Sequence, residues 1–133
     1  MTPHMERSNV DGIRPTVAAG ALQDAPLRSQ AVVASRITEA DLLRSVLSLA
    51  RVYGWLAYHT WNARHSAAGF PDLVLVRGGR LIFAELKSEH GRVTAQQLVW
   101  GAALTRAEVT GGVAYLVWRP SDLLSGGVEA ALR

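Results

Sequence analysis

Two short apolar runs joined by a Gly-Gly pair constrain this chain more than any other feature of its sequence. Leu73–Val76 and Leu81–Ala84 flank Gly78–Gly79, which predicts a two-residue β-hairpin because both loop positions need a positive φ. This loop sets the strand register, so that Asp72 lies directly opposite Glu85. Opposed like charges are destabilising, and a divalent cation would offset them because hard cations bind carboxylate oxygens. The hairpin therefore predicts a metal site at its open end.

Lys87 adds a cation beside these two acids. It lies two residues after Glu85, and the period of two along a strand places both side chains on one face. Lys87 is the single lysine among 14 basic residues, and all the others are arginines. A coding bias towards arginine accounts for the surface, but lysine is a compact charge that a protein site can tune. We therefore interpret Lys87 as a functional residue.

Length and composition favour a single folded domain without disulfides. The chain has 133 residues, no cysteine and a net charge of +3, which excludes Cys-type zinc sites and mildly favours a polyanionic partner. No apolar run approaches the roughly 18 residues of a membrane span, and the N-terminus has no signal-peptide pattern. We expect a cytoplasmic protein that has no membrane association and no small-molecule cofactor.

The chain divides into a tail and a domain. Residues 1–36 show no sustained periodicity and are rich in Ala, Ser, Thr, Pro and Gly. This composition predicts a disordered N-terminal tail, with at most a short helix near Ala31–Ala34. Residues 37–133 carry the periodic apolar patterns and are predicted to form one domain.

The first clear helix starts after Thr38, which forms a predicted capping box with Asp41, and ends at Gly54. Its apolar stripe consists of Leu42, Leu43, Val46, Leu47, Ala50 and Tyr53. Glu39 precedes the first two of these residues by three and four positions, so we expect this acid on the core side of the helix. The alternative is a first-turn acid that only complements the helix dipole.

A strand and a polar loop lead from this helix to the hairpin. Trp55–Thr60 alternates as a strand does, and Trp61–Gly69 is a polar loop that contains Arg64 and His65. Such a loop can contact phosphates or stack a base, or it can be a solvated connector. His59 and His65 lack a third ligand at a suitable spacing, so a zinc site is rejected.

The second half of the chain returns through a helix to the sheet. Thr94 and Gln97 form a second predicted capping box, which opens a helix to about Glu108. Gln97 has two interpretations, as a helix cap or as a site residue on the core face. Val113–Arg119 follows as an apolar strand, and Asp122–Leu124 begins a short helix. This order predicts an α/β fold with a mixed sheet of about four strands, the last one parallel to its neighbour.

Together these residues resemble the VRR-NUC family of small virus-type nucleases, within the PD-(D/E)XK superfamily. The resemblance covers about residues 37–124. It rests on Glu39, Gly54–Trp55, Gly69–Phe70–Pro71–Asp72, Ala84–Glu85–Leu86–Lys87–Ser88, Gly91–Arg92, Thr94, Gln97, Trp100 and Trp118–Arg119–Pro120–Ser121–Asp122. It implies a restriction-endonuclease-like core in the order α-β-β-β-α-β-α. The very short Gly78–Gly79 loop departs from the family pattern.

The resemblance also implies how the site is used. Asp72, Glu85 and the main-chain carbonyl of Leu86 would bind Mg²⁺, or Mn²⁺ in its place. Glu39 would assist through a water or a second cation. The chemistry would be in-line hydrolysis of a phosphodiester bond without a covalent enzyme intermediate.

The remaining predicted site residues are nitrogen-bearing side chains. By the same resemblance, Lys87 would orient or deprotonate the attacking water and stabilise the developing charge. Gln97 would orient Lys87 or the water. DNA binding is predicted for four basic residues around the site: His59, Arg64, His65 and Arg92.

The function implied is a metal-dependent DNA endonuclease in replication, recombination or repair, of bacterial, prophage or phage origin. Small stand-alone members of the family resolve four-way (Holliday) junctions as homodimers, and an isologous dimer supplies two nicks by symmetry. Branched DNA and a homodimer are therefore the expected partners. The alternatives are a flap, single-strand or restriction-type nuclease, and a DNA-binding module whose acids are only structural.

Overall fold

The computed structural model describes residues 19–61, 64–107 and 111–133, with side chains described from residue 28 onward. Helices and strands alternate in these ranges as the sequence predicts, with an additional helix at each end. The elements are α1 Ala19–Arg36, α2 Glu39–Val52, β1 Leu56–His59, β2 Leu73–Arg77, β3 Arg80–Leu86, α3 Ala95–Ala107, β4 Val113–Trp118, α4 Pro120–Leu124 and α5 Gly127–Leu132. The predicted α/β fold is confirmed.

The four strands form one mixed sheet in the order β1-β2-β3-β4. β2 pairs antiparallel with β1 and β3, whereas β4 runs parallel to β3 as predicted. Both residues of the Gly78–Gly79 loop have a positive φ, which is the backbone conformation that the hairpin requires. The pairing continues to Leu73 opposite Ala84, so the next step places Asp72 opposite Glu85. The predicted register is confirmed.

Helix α2 covers one face of this sheet and begins where its capping box predicts. The Asp41 N–H donates to Thr38 Oγ1 at 3.1 Å, and the Thr38 N–H donates to Asp41 Oδ2 at 3.2 Å. The core between α2, α5 and the sheet contains Leu42, Val46, Ala50, Leu73, Leu75, Ile82, Ala84, Leu86, Val128 and Leu132. This packing directs the first turn of α2, with Glu39, towards the end of β3.

Both ends of the described chain differ from the sequence-based expectation. Residues 19–36 form α1 instead of a disordered tail, and α1 packs against α4 with Ala34 fully buried. At the other end, α5 buries Val128 and Leu132 in the core, in a segment to which sequence analysis assigned no separate helix. Both helices depend on contacts with segments that are distant in sequence, which local patterns do not reveal. Residues 1–18 lie outside the described residues.

The opposite face of the sheet is covered only in part. Helix α3 packs on β4, where a Cβ on Gly101 would lie 2.7 Å from the Tyr115 ring. Leu56, Tyr58 and Val76 lie on the uncovered part of this face and are exposed; we call these three residues the open sheet face. Within the described ranges, no helix is long and apolar enough to cross a membrane.

Candidate active site

Two strands and two helices have their termini close together at one end of the sheet, where the strands begin or end. Asp72 precedes β2, Glu85 lies near the end of β3, and Lys87 directly follows that strand. Glu39 and Gln97 come from the first turns of α2 and α3. Strand ends and helix starts meet here because the helices return the chain across the sheet. All five predicted side chains of the site therefore lie around this one end of the sheet.

Main-chain N–H groups in or next to the two neighbouring strands donate hydrogen bonds to Asp72. Its Oδ2 accepts a hydrogen bond from the Leu86 N–H at 2.8 Å, and its carbonyl accepts one from the Thr60 N–H at 3.0 Å. Pro71 precedes it and is buried. Because the backbone on both sides is held, the carboxylate keeps its position opposite Glu85 without depending on flexible partners.

Phe70 anchors the turn that delivers Asp72. Its ring meets Phe83 and Trp100 edge-on, with centroid distances of 6.1 and 5.1 Å. Gly69 has a φ of 84°, and a Cβ there would lie 2.3 Å from the main-chain carbon of Gln96. No side chain fits at Gly69, because it would push the start of α3 away from the site.

We expect Gly69→Ala to lower both stability and cleavage, and Gly54→Ala to lower stability less. Gly54 has a φ of 76° with no atom within 4 Å of an added Cβ, so both variants carry the same backbone strain of about 1 kcal/mol. Only Gly69→Ala adds the collision with Gln96. Urea unfolding and cleavage rates of the two variants measure the difference. Equal losses in both would show that the close packing at Gly69 is unimportant.

Glu85 and Lys87 are buried although both carry charge. Glu85 is 2 % exposed and Lys87 is 9 % exposed, and they are the buried charged residues of the described side chains. Lys87 Nζ lies 3.7 Å from Glu85 Oε1. Charged side chains are almost never fully buried unless they are paired, and one lysine faces two acids here. The pairing is therefore incomplete.

Gln97 connects this buried acid to the start of α3. Its Oε1 accepts the Thr94 N–H at 2.8 Å, and its N–H donates to Thr94 Oγ1 at 3.2 Å. Its Nε2 donates to Glu85 Oε1 in a short hydrogen bond. Gln97 thus acts as the helix cap and also contacts the site. The cap fixes the direction of the amide, so that its nitrogen faces Glu85.

The pKa of Glu85 is raised to about 8. Burial is the largest cause, and repulsion from the Asp72 carboxylate is the next, while the Lys87 ammonium partly offsets both. Burial raises the pKa of Tyr115 in the same region, and the charges of Glu85 and Asp72 add to this effect. Ionisation of Glu85 would therefore give the site excess negative charge, which a bound cation would relieve.

Without divalent cations, the free energy of unfolding is expected to fall as pH rises from 4.5 to about 8. The unfolded chain releases the Glu85 proton near pH 4.5, whereas the folded protein keeps it up to about pH 8, so deprotonation favours unfolding in this window. The expected loss is at most about 5 kcal/mol. Glu85→Gln should flatten this dependence. Urea unfolding in EDTA, repeated across this pH window, measures the free energy of unfolding of the wild type and of Glu85→Gln. The same pH dependence in both proteins would contradict the raised pKa of Glu85.

Glu39 differs from its predicted environment. It is exposed, so the prediction that it shares the buried stripe of α2 is wrong. A residue in the first turn projects past the end of the sheet, and its Oε1 accepts a hydrogen bond from the Ser88 N–H at 3.3 Å. Glu39 nevertheless faces the site. It lines a cleft of about 150 Å³ together with Ala40, Leu43, His59, Asp72 and Leu86, which we call the site cleft.

Arg119 holds the loop that follows Lys87, a role that sequence reasoning missed. Its Nη1 donates to the carbonyls of Ser88 and Gly91, both at 2.8 Å, and approaches that of Glu89 at 3.2 Å. An arginine directly after an apolar strand is a weak sequence signal, because such residues are usually solvated. Here it fixes the backbone from which the Lys87 side chain departs.

The predicted DNA-binding residues lie around the site at different depths. Arg64, His65 and Arg92 are exposed. His59 is half-buried and lines the site cleft. These positions surround the Asp72 end of the sheet and leave the basic side chains accessible to a polyanion.

The donor set suits a hard divalent cation but is small. Asp72 and Glu85 offer opposed carboxylates, and the Leu86 carbonyl is adjacent along β3. Within the described residues, no three His, Asp or Glu side chains are grouped closely enough to hold a metal ion. Two carboxylates, one carbonyl and waters are the ligands that Mg²⁺ accepts. The residues therefore fit Mg²⁺ without Glu39 as a direct ligand.

A mixed sheet that presents this acid pair and a lysine between flanking helices defines a PD-(D/E)XK-type nuclease fold. Residues 13–118 match the VRR-NUC domain, and the chain belongs to the VRR-NUC family. The match begins within the segment that sequence analysis assigned to a tail. The family makes the chain a nuclease of the PD-(D/E)XK type with DNA as its substrate class, and such nucleases generally use divalent metal ions. No curated protein and no solved structure matched the chain.

Proposed function

We propose that this protein is a Mg²⁺-dependent endonuclease that hydrolyses phosphodiester bonds in branched DNA, with the four-way junction as its substrate. The observation that carries the proposal is the buried Glu85–Lys87 pair beside Asp72. Burial and the Asp72 charge raise the pKa of Glu85 to about 8, and perturbed acids in a cleft are typical of functional sites.

The residues are assigned roles by their positions. Asp72, Glu85 and the Leu86 carbonyl would hold Mg²⁺, with Mn²⁺ able to replace it. When bound, the cation would polarise the scissile phosphate and acidify a water. Glu39 lines the site cleft together with Asp72, so it would assist through a water or a second cation. These assignments support hydrolysis by an activated water.

Lys87 and Gln97 complete the site. Lys87 places its Nζ 3.7 Å from Glu85 Oε1. As an ammonium it could orient the attacking water and stabilise the charge on the phosphate, and as a neutral amine it could accept the proton of that water. Gln97 holds the Glu85 carboxylate in place through its amide nitrogen. His59, Arg64, His65 and Arg92 would contact the DNA backbone near the scissile bond.

Branched DNA is proposed because the fold offers a surface for two-fold assembly. The open sheet face exposes 76 % of Leu56 and 63 % of Tyr58, and β1 is the edge strand of the sheet. An unpaired edge strand beside exposed apolar residues favours pairing with another chain. We propose that a second copy covers this face. The resulting homodimer would carry two sites, which is what symmetric cleavage of a four-way junction requires.

A substrate panel tests the proposed function. Labelled four-way junction, 5′ flap, single strand and plain duplex are incubated with the protein and Mg²⁺, Mn²⁺ or EDTA. We expect paired symmetric cuts in the junction, at least about tenfold faster than cuts in duplex, and no cleavage in EDTA. Faster cleavage of flap, single strand or duplex would identify another type of nuclease, and binding without cleavage would identify a DNA-binding module.

The oligomeric state tests the second part of the proposal. Light scattering after gel filtration is expected to show a dimer for the wild type and a monomer for Tyr58→Glu, because a carboxylate on the open sheet face cannot be buried without a partner. Val52→Glu is a matched control, since Val52 is 77 % exposed at the far end of α2. A monomeric wild type that makes paired symmetric cuts would contradict the dimer.

A further inference from the structure

Trp61 is exposed to an unusual degree beside the candidate active site. It is 89 % exposed, whereas Trp55 and Trp118 are 5 % and 4 % exposed. A fully hydrated tryptophan forgoes the burial that its large apolar area would otherwise gain. A surface position of this kind is typical of a side chain that packs against a binding partner.

The position of Trp61 relative to Asp72 is set by backbone contacts. The preceding residue, Thr60, donates its N–H to the Asp72 carbonyl at 3.0 Å, and its Oγ1 donates to the Pro71 carbonyl at 3.3 Å. Trp61 is one residue, about 3.8 Å of chain, beyond this anchor. The Trp61 backbone therefore lies at the same end of the sheet as Asp72.

Contact with His59 orients Trp61 towards the site cleft. The two rings meet edge-on with a centroid distance of 5.1 Å and an interplanar angle of 61°, and His59 lines the cleft with Glu39 and Asp72. His59 pairs with Leu73 on the α2 face of the sheet, whereas Tyr58 pairs with Val74 on the opposite face. Trp61 is thus associated with the site cleft and not with the open sheet face.

We propose that Trp61 is a stacking platform for an unpaired nucleobase next to the scissile phosphate, and that it selects DNA with unpaired or splayed bases. This inference rests on the proposed nuclease function and adds a specificity residue to it. Every base has a π face, so an exposed indole binds bases without regard to sequence. In intact duplex the bases are stacked on each other, and one must be unpaired before it can stack on a protein ring. Trp61 therefore favours branch points and single strands over duplex.

The first test measures DNA binding in EDTA, where no cleavage occurs. Trp61→Ala is expected to weaken binding of a four-way junction and of an oligothymidine 12-mer by about 5- to 150-fold. Binding of a fully paired duplex should stay within about twofold. Trp61→Phe should retain most of the affinity because it retains a ring, and Val52→Ala, at the other end of α2, should bind as the wild type does.

The second test combines the protein variant with a missing base. Abasic nucleotides are placed one at a time around the cleavage position of the junction. At one position the wild type is expected to fall to the affinity of Trp61→Ala, while the affinity of Trp61→Ala itself does not change. Such non-additivity identifies a direct contact. Tryptophan fluorescence of the wild type should also fall on binding the 12-mer, and Trp61→Ala should lack that change.

Several results would overturn the inference. If Trp61→Ala weakens binding of duplex and of single strand equally, Trp61 does not distinguish unpaired bases. If the protein variant and the abasic nucleotide lower affinity additively at every position, stacking on Trp61 is excluded. A change of oligomeric mass in Trp61→Ala would make Trp61 a contact between copies. Because binding is measured without metal, base stacking by a protein that cleaves no DNA would contradict the nuclease proposal alone. Normal cleavage by the wild type, together with unchanged DNA affinity in Trp61→Ala, would contradict the stacking proposal alone.

Discussion

Replacing Asp72 with asparagine is expected to slow metal-dependent cleavage by about a thousandfold or more while the fold is retained. An asparagine Oδ1 can still accept the hydrogen bond that the Leu86 N–H donates to Asp72 Oδ2 at 2.8 Å. The variant therefore removes one negative charge and keeps the geometry. Single-turnover rates on a labelled four-way junction with saturating Mg²⁺ measure the loss, and urea unfolding in EDTA measures the stability.

Two further variants make this result specific to the acid pair. Asp41→Asn alters an exposed acid whose carboxylate accepts the Thr38 N–H in the capping box of α2, so it should retain cleavage with at most a small loss of stability. If Asp72 and Glu85 serve the same cation, Asp72→Asn combined with Glu85→Gln should be no slower than the slower single variant. Asp72→Asn should also lower the pKa of Glu85, because the Asp72 charge is one cause of its rise. Cleavage within about tenfold of the wild type would contradict the site.

Replacing Lys87 with alanine is expected to slow the chemical step by on the order of 10²–10⁴-fold. The side chain is buried and its Nζ lies 3.7 Å from Glu85 Oε1, so its removal takes the positive charge away from the acid pair. Lys87→Arg should lose nearly as much activity, because a wide guanidinium does not replace a compact ammonium in a buried position. Rates over a pH series, at saturating DNA, measure both variants.

The Lys87 variants also separate charge from chemistry. Lys87→Arg keeps the positive charge, so a variant that retained most of the rate would show that Lys87 acts only by neutralising Glu85. Lys87→Ala should raise the pKa of Glu85 further, because the Lys87 ammonium is what partly offsets the rise. Arg106→Ala, at an exposed position near the end of α3, is the matched control and should cleave normally. Full activity of Lys87→Ala would contradict its role.

Much of this site follows from local sequence rules. The Gly78–Gly79 loop sets the hairpin register because a loop of two residues permits only a narrow set of turns. This register then brings Asp72 opposite Glu85. The capping boxes at Thr38 and Thr94 locate the starts of α2 and α3 for a similar reason. Each depends on hydrogen bonds between residues three positions apart, which sequence reasoning can specify.

Other features depend on contacts between segments that are distant in sequence. The helix over residues 19–36 persists because Ala34 is buried against α4, and α5 is ordered by the core that receives Val128 and Leu132. Composition was therefore a poor guide for residues 19–36. Neither helix has a sufficiently distinctive local pattern to be predicted alone.

The hairpin sequence alone defined which acids oppose each other and which lysine accompanies them, because turn geometry and strand periodicity act over a few residues. Only the folded chain established their environment. It buries Glu85, exposes Glu39 and places Trp61 beside the site cleft. It also brings Arg119 to the loop after Lys87, where it donates hydrogen bonds to the main chain. Burial and orientation of side chains are set by what packs around them. These neighbours come from the whole chain, so sequence periodicity cannot specify them.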